Sequence, residues 1–278
     1  MKRFIAICAA LCILSTAAVT ASAALFSGQD INVLYQEAAA HSESSVYSWY
    51  CKHTKDHSQP PLDALFNFTK NSETYFIDRK NTDYEASEKV IYLTFDVGYE
   101  NGNVAKILDI LKEKEVPGAF FVLEHVVKKN TDLIQRMANE GHLICNHTAS
   151  HKDMSSVDNK EDFAAELTAL ETVCKDVAGV EVAKYYRPPE GRFSERNLIW
   201  ANELGYKTVL WSYGYMDWDN NAQPSEKASY EKVLSGTHNG EVLLLHPTSS
   251  TNAAILGDLI DAWKSEGFRF GTLDELCK

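Results

Sequence analysis

The chain predicts an α/β fold, a distorted (β/α) barrel of about seven strands with a short N-terminal extension. From Val90 onward, short apolar runs alternate with amphipathic stretches of helical period, the pattern of βαβ units with parallel strands. Seven strand candidates are enough to close, or nearly close, a barrel. An open doubly wound sheet is the rival, but no glycine-rich phosphate loop follows the first strand.

The chain opens with MKRFIAICAALCILSTAAVTASAA. Lys2 and Arg3 form a positive start, Ile5 to Ile13 an apolar core, and Ala21-Ser22-Ala23 a small-residue cleavage site, so residues 1–23 read as a signal peptide and the protein as exported. Residues 24–88 form the extension, with QDINVLYQEAAAH as a short helix and HTKDHSQPPLDALF as a proline-broken loop. Trp49, Tyr50, His53 and His57 in this segment read as packed aromatics and solvated histidines. Residues 89–278 form the main domain. Its strands are expected at Val90–Phe95, Gly118–Val122, His142–Cys145, Lys184–Arg187, Lys207–Trp211, Glu241–Leu245 and Phe268–Phe270. Helices are expected at Val104–Lys114, Thr131–Asn139, Lys160–Val177, Glu195–Leu204, Ser225–Leu234 and Asn252–Ser265. In the first, Val104, Ile107, Leu108 and Leu111 fall on one face while Lys106 and Lys112 point away.

Net charge is -12, and about -14 once the two leader cations are removed. That argues against a nucleic-acid partner, which needs a cationic face. Four cysteines follow the leader, Cys51, Cys145, Cys174 and Cys277, in no metal-ribbon or redox spacing. They read either as two disulfides in one of three pairings or as small buried thiols.

In a parallel barrel the site lies where strands end and the following loops begin. Five strand ends carry charged or titratable groups: Asp96 after Thr94-Phe95, His147 and His151 after the third strand, Arg187 ending the fourth, Asp217 after the fifth, and His246 ending the sixth. His147 and His151 are four apart, which on one helical turn puts both imidazoles on one face and lets them grip a Zn²⁺-like ion. A lone pair of this spacing is ordinarily a surface pair, but the position after a buried strand points to a ligand pair. Asp96 at the end of an apolar strand needs a partner for its charge, and Arg187 is the candidate. His246 follows four apolar residues and would be a satisfied core histidine unless a carboxylate such as Asp217 tunes it as an acid.

These motifs in this order resemble the polysaccharide deacetylase (NodB-homology) family, whose domain is a distorted (β/α) barrel. The resemblance runs from about Lys89 to Leu276 and rests on TFDVG (94–98), HTASH (147–151), RPPEG (187–191), DW (217–218) and LLH (244–246). The longer runs YLTFDVGYENGN, GHLICNHTASH, YRPPEGRFSE and DWDN look most like the delta-lactam-biosynthetic de-N-acetylases of spore-forming bacteria. The resemblance implies a hydrolase that removes N-acetyl groups from peptidoglycan, from peptide-free N-acetylmuramic acid in making spore-cortex lactam, with glycan strands as its partner and no stable protein partner. It implies Asp96 as general base, His147 and His151 as ligands of one divalent metal ion, zinc being the expected identity, and Arg187 as orienter of Asp96. His246 would be the acid, Asp217 its tuner, and Trp218 a wall of the acetyl pocket. Arg192 is the candidate for the lactyl carboxylate, since guanidinium matches carboxylate geometry.

The sequence departs from the family pattern twice. Val97 stands where most members carry a second aspartate as third metal ligand, and Gly214 where many carry another aspartate. Two other readings therefore stand beside the first: deacetylation of N-acetylglucosamine in peptidoglycan or chitin-like oligomers, and a non-catalytic glycan binder that has lost its metal.

Overall fold

Nine consecutive buried residues, Lys89–Val97 (β3), form the strand around which the chain is arranged. The computed structural model describes residues 43–278, so the leader and the helix expected over 29–41 lie outside the described residues. Val46–Lys278 form one unit, and residues 46–88 belong to it. Parallel strands flank β3: Ala119–Val122 (β4) along Thr94–Val97, Glu241–Leu245 (β9) along Ile91–Phe95, and Phe268–Phe270 (β10) along Lys89–Ile91. Beyond β4 come Leu143–Asn146 (β5), Ala183–Tyr186 (β6) and Lys207–Val209 (β8), all parallel.

The ring closes without a full ladder between β8 and β9. Two isolated bridges, Tyr213 to Leu243 and Ile77 to Glu241, span the gap, which is what makes the barrel a distorted one. The open sheet that was the rival expectation does not form. The seven expected strands and six expected helices all appear within a few residues of their predicted ends. The helices are Asn103–Glu113 (α1), Thr131–Asn139 (α3), Lys160–Val173 (α4), Glu195–Glu203 (α5), Glu226–Gly236 (α6) and Ser250–Ser265 (α7). The third ends sooner than predicted because Cys174–Ala178 widen into a π turn that stops at left-handed Gly179.

Alternation along the strands sorts side chains into two layers. Val90, Tyr92, Phe121, Cys145, Val209 and Val242 pack together inside the barrel. Ile91, Leu93, Phe95, Val97, Phe120, Leu243 and Leu245 pack outward with the helices. By that period of two, Thr94 and Asp96 share the interior face with Tyr92, and His246 shares it with Val242.

Elements too short to show a period were not legible. Glu124–Lys129 (α2) and Leu273–Leu276 (α8) are single turns. Tyr47–Ser48 (β1) pairs antiparallel with Arg192–Phe193 (β7), and Thr74–Tyr75 (β2) adds to β8 as a parallel edge. The segment read as a loop ends differently: Ala64–Asn71 is a 3₁₀ helix whose first turn is capped by Asp63, accepting from the Leu65 backbone N–H. Trp49, Phe66 and Phe76 of this region bury against Phe193, Leu198 and Leu210. His53 stacks on Tyr213 and His57 on Tyr84, so neither is simply solvated. All four described cysteines are free thiols, three of them buried.

Glu241 starts β9 fully buried, accepting at 3.0 Å from the His238 backbone N–H, and burial pushes its carboxyl from the ordinary 4.5 up to about 8. The folded state then holds a proton that the unfolded state has released, so stability is full below the ordinary value and falls as pH rises through about 8. Glu241→Gln keeps the shape without the charge. Urea denaturation across that window is expected to show the wild type losing stability while the variant stays level; equal slopes would contradict the protonated assignment.

Candidate active site

Asp96 and Arg187 meet inside the barrel mouth. Arg187 follows β6 and is fully buried, a position that costs several kcal/mol unless its donors are used. They are used: Nη1 donates to Asp96 Oδ1 at 2.8 Å, Nε to Val209 O at 2.9 Å, and Nη2 to Thr94 Oγ1 at 2.9 Å and Leu210 O at 3.2 Å. Its plane lies 4.2 Å from the Phe121 ring centre, which shields the pair from water. Burial alone would raise the Asp96 carboxyl, but neighbouring positive charge, that of Arg187 first, outweighs it and holds the group below its ordinary value. Asp96 is therefore ionised, oriented through Oδ1, and has Oδ2 turned toward His147 Nε2 at 3.6 Å.

His147 and His151 come together, but not on a helical turn as the spacing suggested. They lie on an irregular loop with left-handed backbone at Thr148 (φ 71°) and His151 (φ 59°). A β-branched residue rarely takes that conformation, and the loop is held there by its own bonds. Asn146 Oδ1 accepts from the Thr148 N–H at 2.9 Å, while Asn146 Nδ2 donates to Leu167 O and Tyr206 Oη. Thr148 Oγ1 accepts from the His151 N–H at 3.0 Å. The outcome is an edge-on pair of rings with centres 5.1 Å apart.

The donor chemistry of this pair suits a divalent ion. His147 Nδ1 donates to the Arg187 carbonyl at 2.9 Å, which fixes the tautomer and leaves Nε2 with its lone pair facing the cleft. Burial pushes this imidazole down to about 4, so it is neutral, the form that binds metal. Val97 adds nothing to the set: it is fully buried and packs outward with the helix layer. Among the described residues no three His, Cys, Asp or Glu side chains gather in ligand geometry. His147 and His151 would hold the ion between them, with Asp96 beside His147.

Across the mouth, His246 leaves β9 with Nδ1 donating to Asp217 Oδ1 at 2.7 Å and its backbone N–H donating to Oδ2 at 2.8 Å. Burial would lower the imidazole, but Asp217 and then Asp96 overcome it and raise the group above its ordinary value. Trp218, 53% exposed, meets the His246 ring edge-on at 5.9 Å. Arg192 is half-exposed at the rim, and among the described residues only its Nε is engaged, by Asp153 Oδ2 at 2.9 Å.

Thus the structure brings Asp96, Arg187, His147, His151, Asp217 and His246 to one end of the barrel, with Trp218 beside His246 and Arg192 bound to Asp153. Residue-type reasoning missed Thr94, which takes an Arg187 donor while its own hydroxyl donates to Leu243 O at 2.7 Å. Its place two residues before Asp96, on the same strand face, was the available signal. It also missed Asn252, whose amide reaches Asp217, and Asn146, which ties down the histidine loop. Nothing local in the sequence marks either.

Comparison with known proteins agrees with this geometry. The polysaccharide deacetylase family profile matches residues 83–209. The peptidoglycan-N-acetylmuramic acid deacetylase PdaA of Bacillus subtilis is 37% identical over 248 residues, covering 88% of this chain and 92% of that one. A peptidoglycan-N-acetylglucosamine deacetylase of Bacillus cereus is 34% identical over 190 residues, 67% of each chain. The solved structure of Bacillus subtilis PdaA, a family 4 carbohydrate esterase, superposes with a TM-score of 0.78 at 36% identity, covering 84% of this chain and 97% of that one. The barrel, the buried Asp96–Arg187 pair and a likeness to PdaA over 88% of this chain lead to one assignment: the chain belongs to the polysaccharide deacetylase family and is an amide hydrolase of that kind.

Proposed function

We propose that this protein removes the N-acetyl group from N-acetylmuramic acid in peptidoglycan, acting outside the cytoplasm on strands whose stem peptide has been cut away. The freed amine then lies next to the lactyl carboxylate with which a muramic lactam of the spore cortex closes. The observation that carries the reading is the pairing of Asp96 with Arg187 and of His246 with Asp217 at one end of the barrel, around two convergent imidazoles. The likeness to an N-acetylmuramic acid deacetylase over nearly the whole of both chains supports the choice of sugar.

Each group is shifted in the direction its task requires. Asp96, held by Arg187 and lacking its proton, accepts one from the attacking water. His246, protonated and fixed by Asp217, gives its proton to the leaving nitrogen as the C–N bond breaks. A divalent ion at His147 and His151, expected to be zinc, supplies polarisation of the acetyl carbonyl and acidification of water. Trp218 offers an apolar wall near His246 for the acetyl methyl. Arg192, oriented by Asp153 through Nε, presents its other nitrogens to the lactyl carboxylate.

The test of substrate is mass spectrometry of muropeptides together with acetate release. Amidase-treated peptidoglycan is expected to lose acetyl groups from muramic acid, with intact peptidoglycan and chitooligosaccharides turned over poorly. Release from chitooligosaccharides alone would move the assignment to N-acetylglucosamine, the sugar of the second relative. Arg192→Ala is expected to raise KM about 10-fold for the muramic substrate and to leave any turnover of chitooligosaccharides untouched.

The acid is tested by pH. Because Asp217 raises His246, kcat/KM should hold to a pH above the ordinary imidazole value of 6.5 and fall as His246 loses its proton. In Asp217→Asn that alkaline limb should move down, with kcat lower by about 10²- to 10⁴-fold. An unmoved limb would remove His246 from the role. His151→Ala should abolish tight binding of a divalent ion, read by metal analysis after dialysis, without lowering Tm. If wild type and variant both bind glycan equally and neither releases acetate, the protein is a binder that has lost its metal.

A further inference from the structure

His246 and Asp217 do not hold each other unaided. Asp217 is 1% exposed and both of its oxygens are committed: Oδ1 to His246 Nδ1, and Oδ2 to the His246 backbone N–H and, at 2.6 Å, to Asn252 Nδ2. The same Asn252 amide donates to the His246 carbonyl at 3.1 Å. It therefore touches both the backbone of the acid and the side chain of its partner. Asn252 lies in the first turn of α7, where the helix is capped by Ser249 Oγ accepting from the Asn252 backbone N–H at 3.1 Å. The helix start is capped without the Asn252 side chain, whose amide is left for Asp217 and the His246 carbonyl.

An amide can donate to Asp217 only when turned the right way, and Tyr215 sets that direction. The buried Tyr215 hydroxyl donates to Asn252 Oδ1, which places the NH₂ group on Asp217. We propose that Asn252, oriented by Tyr215, is a positioning residue for the deacetylation, holding Asp217 and through it the acid His246 toward Asp96. The proposal rests on the reading of His246 as the proton donor and not on which sugar is bound. The charged groups that face His246 are Asp217 from the loop after β8, Asp96 from β3 and Arg187 after β6. Of these, only Asp217 hydrogen-bonds to the ring, so its orientation controls the proton.

Asn252→Leu removes the donor at similar size, Tyr215→Phe removes only the group that orients it, and the double variant combines them. Two readouts are used: kcat and KM on whichever N-acetylated glycan the wild type turns over, and the pH titration of the His246 ring by NMR in substrate-free protein. Asn252→Leu should lower kcat by about 10- to 100-fold with KM within about twofold, as expected for a misplaced proton donor. Tyr215→Phe should lower kcat less, and adding it to Asn252→Leu should cost nothing more, because Tyr215 acts through Asn252. The His246 midpoint should fall toward the ordinary imidazole value in all three. A wild-type kcat and midpoint in Asn252→Leu overturns the proposal, and so do additive losses with an unmoved midpoint, which would indicate packing alone. If Asn252→Leu does not fold, Asn252→Ser with Tyr215→Phe makes the same comparison. If the wild type turns over no glycan, His246 as a deacetylation acid fails, while the NMR midpoint still decides whether Asn252 positions the pair.

Discussion

The site depends on one buried ion pair. An unpaired carboxylate at the end of a nine-residue buried strand would take up a proton, and an unpaired guanidinium in the barrel interior would not be tolerated. Asp96 and Arg187 answer each other's charge, and the remaining Arg187 donors are taken by Thr94 and by the carbonyls of Val209 and Leu210 at the end of β8. One side chain thus ties β3, β6 and β8 together where the barrel opens. Its own carbonyl fixes the tautomer of His147. The orientation of the Asp96 carboxylate and the direction of the His147 lone pair both trace to the same residue.

Environment drives three histidines of one chemistry in two opposite directions. His147 is fully enclosed, and burial outweighs the pull of the Asp96 carboxylate and leaves it neutral. His246, partly open to the cleft, bonded to Asp217 and near Asp96, keeps its proton to higher pH. His238 at the opposite end of β9 is pushed down to about 4 by burial, and its backbone N–H serves the protonated Glu241. The contrast between His147 and His246 sets two opposite shifts at one end of the barrel, as the proposed division between ligand and acid requires.

Much of this was legible in order along the chain. The alternation of apolar runs with helical stretches located the seven parallel strands, and the charged residues at strand ends located the site, because a parallel barrel collects those ends on one rim. Short elements escaped: two residues at Thr74–Tyr75 carry no period, yet they add an edge strand to β8. The spacing of His147 and His151 gave the right pair for the wrong reason. A helical turn would have placed them side by side, whereas a strained loop, braced by Asn146 and Thr148, does so instead.

The sequence by itself determined which strands run parallel and which residues stand at their ends, since both follow from local periodicity. It also made Val97 apolar, and period-two alternation then commits that side chain to the helix layer. Only the tertiary structure decided how the charges pair. Strand-end placement offered Arg187 to Asp96 across 91 residues, but nothing local joined Asp217 to Asn252 across 35, or gave Arg187 its bonds to Thr94, Val209 and Leu210. Their partnership exists because burial leaves each polar group no water to turn to, and the closed barrel offers it one neighbour that fits.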